Sequence, residues 1–589
     1  MGPVRSQHIP VASFDIYHDI IARHLGTGLP ALRWYERPAL SGVGGWRALS
    51  FDELHARCNL RAAWWLRCGV EPGAIVCVLL PFGPECVISL LTALRMGARV
   101  ALLEPLGPDY LAHRLEALAP QHIATEPFHL RLIPAFAKLS LPPDDLIPTG
   151  PAYSHSYAPD DPCLTSFSPL RDDPVTPVDT HASDVYRGAL RDGLITFALR
   201  PGDHLAAPGF HTLQHQPALL LSALITGSAF VHITEADAVR EVKLLFNAPL
   251  RSVGVTAPVR DALLSAGLSG KPAWQHWFRN PEEPTDWEIW RDFIQTCSLG
   301  ETPMSNVVID TASGGSLLWS PRRRSTLQLR YLANVAPAPG QPWTLLDFTR
   351  SGQPAVADIG VYAPTIIEQA PPTGGKGSLP ARSQVGPTAG SPIGPIDPTP
   401  VAPQHMIIAR RGQEYMYGGT IEPRRAGRVY PTAEVLDALA DIPFLDGATI
   451  VAVSQGGSAV AFCFVLVAFT GAESLPRHDA LRHRRIAEFE ARIVNRLGDE
   501  FLPDSIVTFP LHARRVDSDP EGEIDHDWCQ AQYLSGQLFR KARTRVFQQL
   551  AAVRAAIRSG LAGAARIGDT VSHEAVDADN RVTRGTSQP

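Results

Sequence analysis

The sequence predicts an α/β protein in which a large N-terminal domain of βαβ units is followed by a small C-terminal α+β domain. Three observations carry that expectation. Short apolar strands alternate with amphipathic helices between residues 49 and 126, and the same alternation resumes between residues 202 and 256. Residues 370–403 are rich in Pro, Gly, Ser and Thr, and they separate this region from a shorter stretch of helix and strand patterns. At 589 residues the chain is too long for a single core.

Each element follows from its side chains. Leu54, Cys58, Ala62, Trp65 and Leu66 recur at helical spacing and stop at Gly69, a residue type that ends helices. The turn from Val70 to Gly73 leads into an apolar strand, 74–80. A second helix over 85–95 closes at Gly97, a strand over 98–103 follows, and another helix starts after Pro108. Strands this short and apolar, alternating with helices, are covered on both faces and pair in parallel. Downstream, 218–225 reads as helix, while 228–233 and 252–256 read as strands.

Residues 370–403 hold almost no large apolar side chain, so they cannot bury enough surface to offset ordering entropy and are expected to act as a linker. The predicted organisation is a large domain over 1–369, the linker 370–403 and a small domain over 404–535. An amphipathic helix over 536–566 and a disordered tail over 567–589 complete it. In the small domain 429–439 and 483–497 read as helices, and 448–453 and 460–469 as neighbouring strands. Leu538, Ala542, Val546, Leu550, Val553 and Ile557 form one stripe of the terminal helix.

Composition narrows the function classes. The chain is 45% hydrophobic and 19% charged with a net charge of −6, so it has no global pull towards nucleic acid or anionic lipid. No apolar stretch reads as a signal peptide or membrane span: Pro81, Gly83, Pro84 and Glu85 interrupt the longest one. Cytoplasm is the expected location. Eight cysteines include no CxxC pair, and Cys77 and Cys463 read as small core residues in a reducing compartment. No metal site is expected.

Leu49 to Leu54, Gly69 to Gly73 and Met96 to Ala98 together resemble the opening of acyl-CoA synthetases and peptide-synthetase adenylation domains, which belong to the adenylate-forming superfamily. The likeness continues through Phe210-His211, Val255 to Pro258, Leu345 to Asp347 and Gly427 to Pro431 with Glu434-Val435. It covers roughly residues 15–530, with a poorly matched zone between 270 and 340. The resemblance implies a large α/β domain carrying a small mobile α+β lid, with Arg411 at the hinge position and Phe210 and His211 beside an acid pocket. For His211, a satisfied half-buried histidine is an equal alternative to a pocket wall.

The resemblance also fixes where ATP chemistry should reside. Setting a carboxylate against the α-phosphate requires backbone N–H donors and a cation to absorb charge. The resemblance places the nucleotide loop at 165–175, where Thr165, Ser166, Ser168 and Val175 keep the family register. Phe167, Leu170 and Pro174 stand where the family has glycine. Asp173, with Asp172 beside it, occupies a lysine position, and Glu523 occupies the second lysine position. Phe167 and Leu170 adopt positive φ at a cost, and Pro169 and Pro174 have no N–H to offer. The family's ribose-gripping aspartate and adenine-site tyrosine have no counterpart; 309–315 is where the tyrosine should lie.

Three readings follow. The leading one is a degenerate family member that binds an organic acid or serves as partner to a carrier protein or an active ligase. The second is an active acid:CoA or acid:carrier ligase, using ATP and Mg2+ and recruiting Arg171 as the missing cation. The third is a regulatory domain that binds an acyl conjugate without turnover. No catalytic residue and no cofactor is assigned under the first.

Overall fold

The computed structural model describes residues 13–37, 44–141, 154–167, 175–268, 270–282, 287–324, 334–339, 344–347, 358–363, 406–411, 414–420, 424–425, 428–454, 462–470, 479–513 and 524–540. The expected linker 370–403, the terminal helix beyond 540 and the tail 567–589 lie outside these residues. So do Ser168, Arg171, Asp172, Asp173 and Glu523. The chain divides into two compact units. One comprises Met1–Arg57, Ser154–Asp173 and Val178–Glu422; the other comprises Cys58–Tyr153, Pro174–Pro177 and Pro423–Pro589.

The first unit is organised by a sheet with fourteen strands among the described residues. Six neighbouring strands run in parallel at its centre: Pro30–Glu36, Ala229–His232, His204–Ala206, Ser252–Gly254, Trp277–Arg279 and Pro303–Asp310. Strand Gly45–Ser50 joins one edge antiparallel. Beyond Pro303–Asp310 the pairing turns antiparallel through Gly315–Trp319, Asn334–Pro337 and Glu414–Thr420. The helix Gln216–Leu224 is buried along all nine residues, which explains its uninterrupted apolar reading. Within the zone 270–340, Trp277 stacks on Trp290 at 5.8 Å and both meet Phe293 edge-on, so aromatic area dominates this part of the core.

The second unit contains four parallel strands in the order Ser140–Leu141, His122–Thr125, Ile75–Leu79 and Arg99–Leu103. The helix Pro84–Met96 lies between the 75–79 and 99–103 strands in sequence. Proline supplies its first residue and Gly97 its left-handed stop. The C-terminal part of this unit pairs Leu445–Ser454 antiparallel with Phe462–Thr470, and Ser505–Pro510 parallel to the latter. Helices Thr432–Leu439, Asp479–Arg496 and His526–Leu534 accompany that sheet.

All eight cysteines are free thiols, and six of them are buried; Cys463 is half-buried rather than a full core residue. Burial pushes the thiol of Cys86 up to about 12, which keeps it protonated and unreactive. Among the described residues no helix is long and apolar enough to cross a membrane.

Gly107 precedes the helix Pro108–Leu118 and donates its N–H to the carbonyl of Leu497 at 2.9 Å. A Cβ at this position would fall on the backbone carbonyl of Arg496. Gly107→Ala is therefore expected to lower stability by about 1–3 kcal/mol, read as a shift in denaturant midpoint. An unchanged midpoint would mean that this close approach is not maintained in solution.

Candidate functional site

Four neighbouring parallel strands of the first unit end in the same direction, and the carboxyl ends of three of them release segments that the sequence singled out. Strand His204–Ala206 leads to Phe210 and His211, Ser252–Gly254 to Thr256, Trp277–Arg279 to Asn280, and Pro303–Asp310 to the turn Thr311–Ser313. Ligands of open α/β sheets bind at such strand ends because loops there converge without covering one another.

The turn after Asp310 is fixed from several sides. Thr311 donates to the carbonyl of Gln214 twice, through its N–H at 2.8 Å and its hydroxyl at 2.7 Å. Thr180 donates its hydroxyl to the carbonyl of Ala312 at 3.0 Å. Ser313 closes the turn on Asp310 at 2.7 Å. Just beyond, Ser316 donates its N–H to the Asp192 carboxylate at 2.7 Å. Asp192 is 1% exposed and also accepts from Arg191 at 2.8 and 3.2 Å and from the Thr196 hydroxyl at 3.1 Å. It opens a π-helical turn, Asp192–Thr196, that continues the helix Ala182–Arg191. Gly188 lets that helix meet the backbone of Gly314, since a Cβ there would fall on the Gly314 carbonyl.

The nucleotide-loop position begins in a hairpin, Pro162–Ser166 paired with Val178–His181. Thr165 is buried and donates its hydroxyl to the Asp179 carboxylate at 2.6 Å, directly across the hairpin. The Ser166 hydroxyl is buried without a hydrogen-bond partner among the described residues. The hairpin reaches the 311–313 turn through Thr180, so these two positions adjoin.

Phe210 and His211 separate in role. Phe210 is 4% exposed and packs edge-on against Phe278 at 5.2 Å and His215 at 5.6 Å. Phe278 in turn meets Phe197 at 4.9 Å. This side chain is a core contact. His211 is half-buried, and its Nδ1 accepts the N–H groups of Leu213 at 3.2 Å and Gln214 at 3.1 Å. His215 Nδ1 accepts the N–H of His211 at 3.0 Å. A ring nitrogen that accepts carries no proton, so each neutral ring bears its hydrogen on Nε2. His211 thus caps its own turn through Nδ1 and presents only Nε2 elsewhere. Arg411 ends the strand Met406–Arg411 opposite Glu414 in a hairpin of the large sheet.

Residues 30–179 match the AMP-binding enzyme family, a span that includes the loop position 165–175 and ends within the second strand of the hairpin. That match covers about a quarter of the chain. Among solved structures it resembles o-succinylbenzoate CoA synthetase from Bacillus subtilis, a double mutant bound with a product analogue. Identity is 12%, coverage 87% of this chain and 98% of that one, and TM-score 0.61. It also resembles an artificially fused adenylation–PCP di-domain of a nonribosomal peptide synthetase from Klebsiella oxytoca. There identity is 14%, coverage 84% and 86%, and TM-score 0.56. At these identities the likeness is one of fold. No curated relative matches the chain.

Within this fold, sequence reading missed Arg191, Asp192 and Gln214. They carry no motif, and their partners Ser316 and Thr311 lie far along the chain. The one available signal was Asp192 itself, a charged residue followed by the apolar stretch from Leu194 to Leu199.

Proposed function

We propose that the chain is a catalytically degenerate adenylate-forming protein. It binds an organic acid, or serves as partner to a carrier protein or an active acid-activating ligase, in a cytoplasmic biosynthetic setting. The observation that supports this most is the double charge reversal: Asp173 and Glu523 stand where the resemblance expects lysines. Attack of a carboxylate oxygen on the α-phosphorus, with pyrophosphate leaving, brings two anions together, and cations in a water-poor site stabilise the charge that develops. Carboxylates at both positions oppose it, at about 1–4 kcal/mol per close pair depending on local dielectric. Phe167, Leu170 and Pro174 also remove the glycine geometry with which a backbone cradles phosphate.

An acid or carrier partner accords with the two structural neighbours, one a CoA synthetase with a product analogue and the other fused to a carrier domain. The deciding experiment is calorimetric titration of the full chain with Mg-ATP. The expected result is no saturable heat below millimolar nucleotide. A dissociation constant near micromolar, about −8 kcal/mol, would overturn the proposal and return the chain to the active ligases.

A further inference from the structure

The helix Pro108–Leu118 carries an ion pair that joins two sequence-distant parts of the second unit. Arg114 and Glu434 lie 320 positions apart, and their side chains are only 4% and 7% exposed. Arg114 Nη1 donates to Glu434 Oε1 at 2.6 Å and Nη2 to Oε2 at 3.0 Å, the two parallel bonds of a fork. The guanidinium also lies 3.8 Å from the centre of the Tyr110 ring.

Around this dry pair the joint is wetter. Asp109 meets Arg496, both about one-third exposed. Arg496 also donates to the carbonyl of Ala438 at 3.2 Å and to Asp441 at 3.4 Å. Tyr110 packs on Phe501 at 5.3 Å, and Gly107 adds its bond to Leu497.

Each side of the joint has a core of its own. Val451, Val465, Val467, Phe469, Val507 and Phe509 cluster around the C-terminal sheet. The strands Ile75–Leu79 and Arg99–Leu103 are buried on four of their five residues. A buried, doubly hydrogen-bonded pair is strongly directional, and losing one partner leaves a charge stranded, so the joint is either made or broken. We propose that Arg114–Glu434 is a latch: it holds the C-terminal α+β segment docked on the 108–118 helix, and breaking it releases that segment with both sides still folded. The C-terminal segment therefore moves together with the 108–118 helix while the pair is intact.

The test is hydrogen exchange on the full chain carrying Glu434→Gln. Amides of the 108–118 and 432–439 helices are expected to exchange at least tenfold faster, while the strands 75–79 and 462–470 keep their protection. The reversed pair, Arg114→Glu with Glu434→Arg, is expected to recover most of that protection. Should Glu434→Gln fail to fold, Asp109→Asn provides the milder break at the rim, expected to accelerate the start of the 108–118 helix about threefold. Unchanged exchange at both helices would overturn the latch. Loss of protection throughout the C-terminal sheet would overturn it equally, by showing the pair to be part of that segment's own core.

Discussion

Asp192→Ala is expected to lower the stability of the first unit by about 3–5 kcal/mol, the range found when one partner of a buried charged pair is removed. The carboxylate accepts four hydrogen bonds, from Ser316, from Arg191 twice and from Thr196. Its removal strands the Arg191 guanidinium, which is left with the Ser316 carbonyl at 2.8 Å. It also strands the Ser316 N–H, the first backbone donor past the 311–315 turn. Asp192→Asn keeps the shape with a weaker acceptor, and the expected loss is about 1–3 kcal/mol. Urea unfolding followed by tryptophan fluorescence gives the magnitude, and hydrogen exchange at 311–316 gives the location. If alanine costs under 1 kcal/mol, the turn is held by Thr311 and Thr180 alone.

What the sequence disclosed and what it concealed divide along a physical line. The helix Pro84–Met96 was legible because its start, stop and apolar face are all local, and the strands 75–79 and 99–103 were legible because burial on both faces makes them continuously apolar. The zone 270–340 looked unfamiliar, yet it supplies two of the parallel strands. One of them, Trp277–Arg279, is only three residues long and too short for any periodicity to register. Phe210 packs against Phe278, 68 positions along the chain, a contact that its own neighbourhood in the sequence does not encode. The Asp192, Thr311–Gln214 and Arg114–Glu434 interactions join residues 97 to 320 positions apart. No local pattern encodes such pairs. Asp173 and Glu523 stand out only against the pattern that the resemblance supplies, because an acidic residue in a polar loop is otherwise unremarkable.

Acidification from pH 7 to pH 5 is expected to destabilise the first unit, with His276 a principal cause. His276 is 2% exposed and bridges three adjacent parallel strands: Nδ1 meets the Ser252 hydroxyl at 2.6 Å and Nε2 the Ser305 hydroxyl at 2.8 Å. Burial, reinforced by the positive charges of Arg322 and Arg251, pushes its pKa down from 6.5 to about 3. The folded protein therefore keeps this ring neutral at pH 5, while the unfolded chain protonates it below about 6.5. The unfolded state then binds more protons, so stability is intact above pH 6.5 and falls as the pH drops towards the folded value. At pH 5 that loss is about 2 kcal/mol for such a histidine. His232, pushed down to about 4 chiefly by burial, acts in the same direction. His276→Gln removes the titration while leaving an amide for the two serines. The variant is expected to be less stable than the parent at pH 7 yet to lose about 2 kcal/mol less between pH 7 and pH 5. Denaturant midpoints at the two pH values measure this directly. An equal loss in parent and variant would show that the ring already accepts a proton in the folded state, and that the acid sensitivity arises elsewhere.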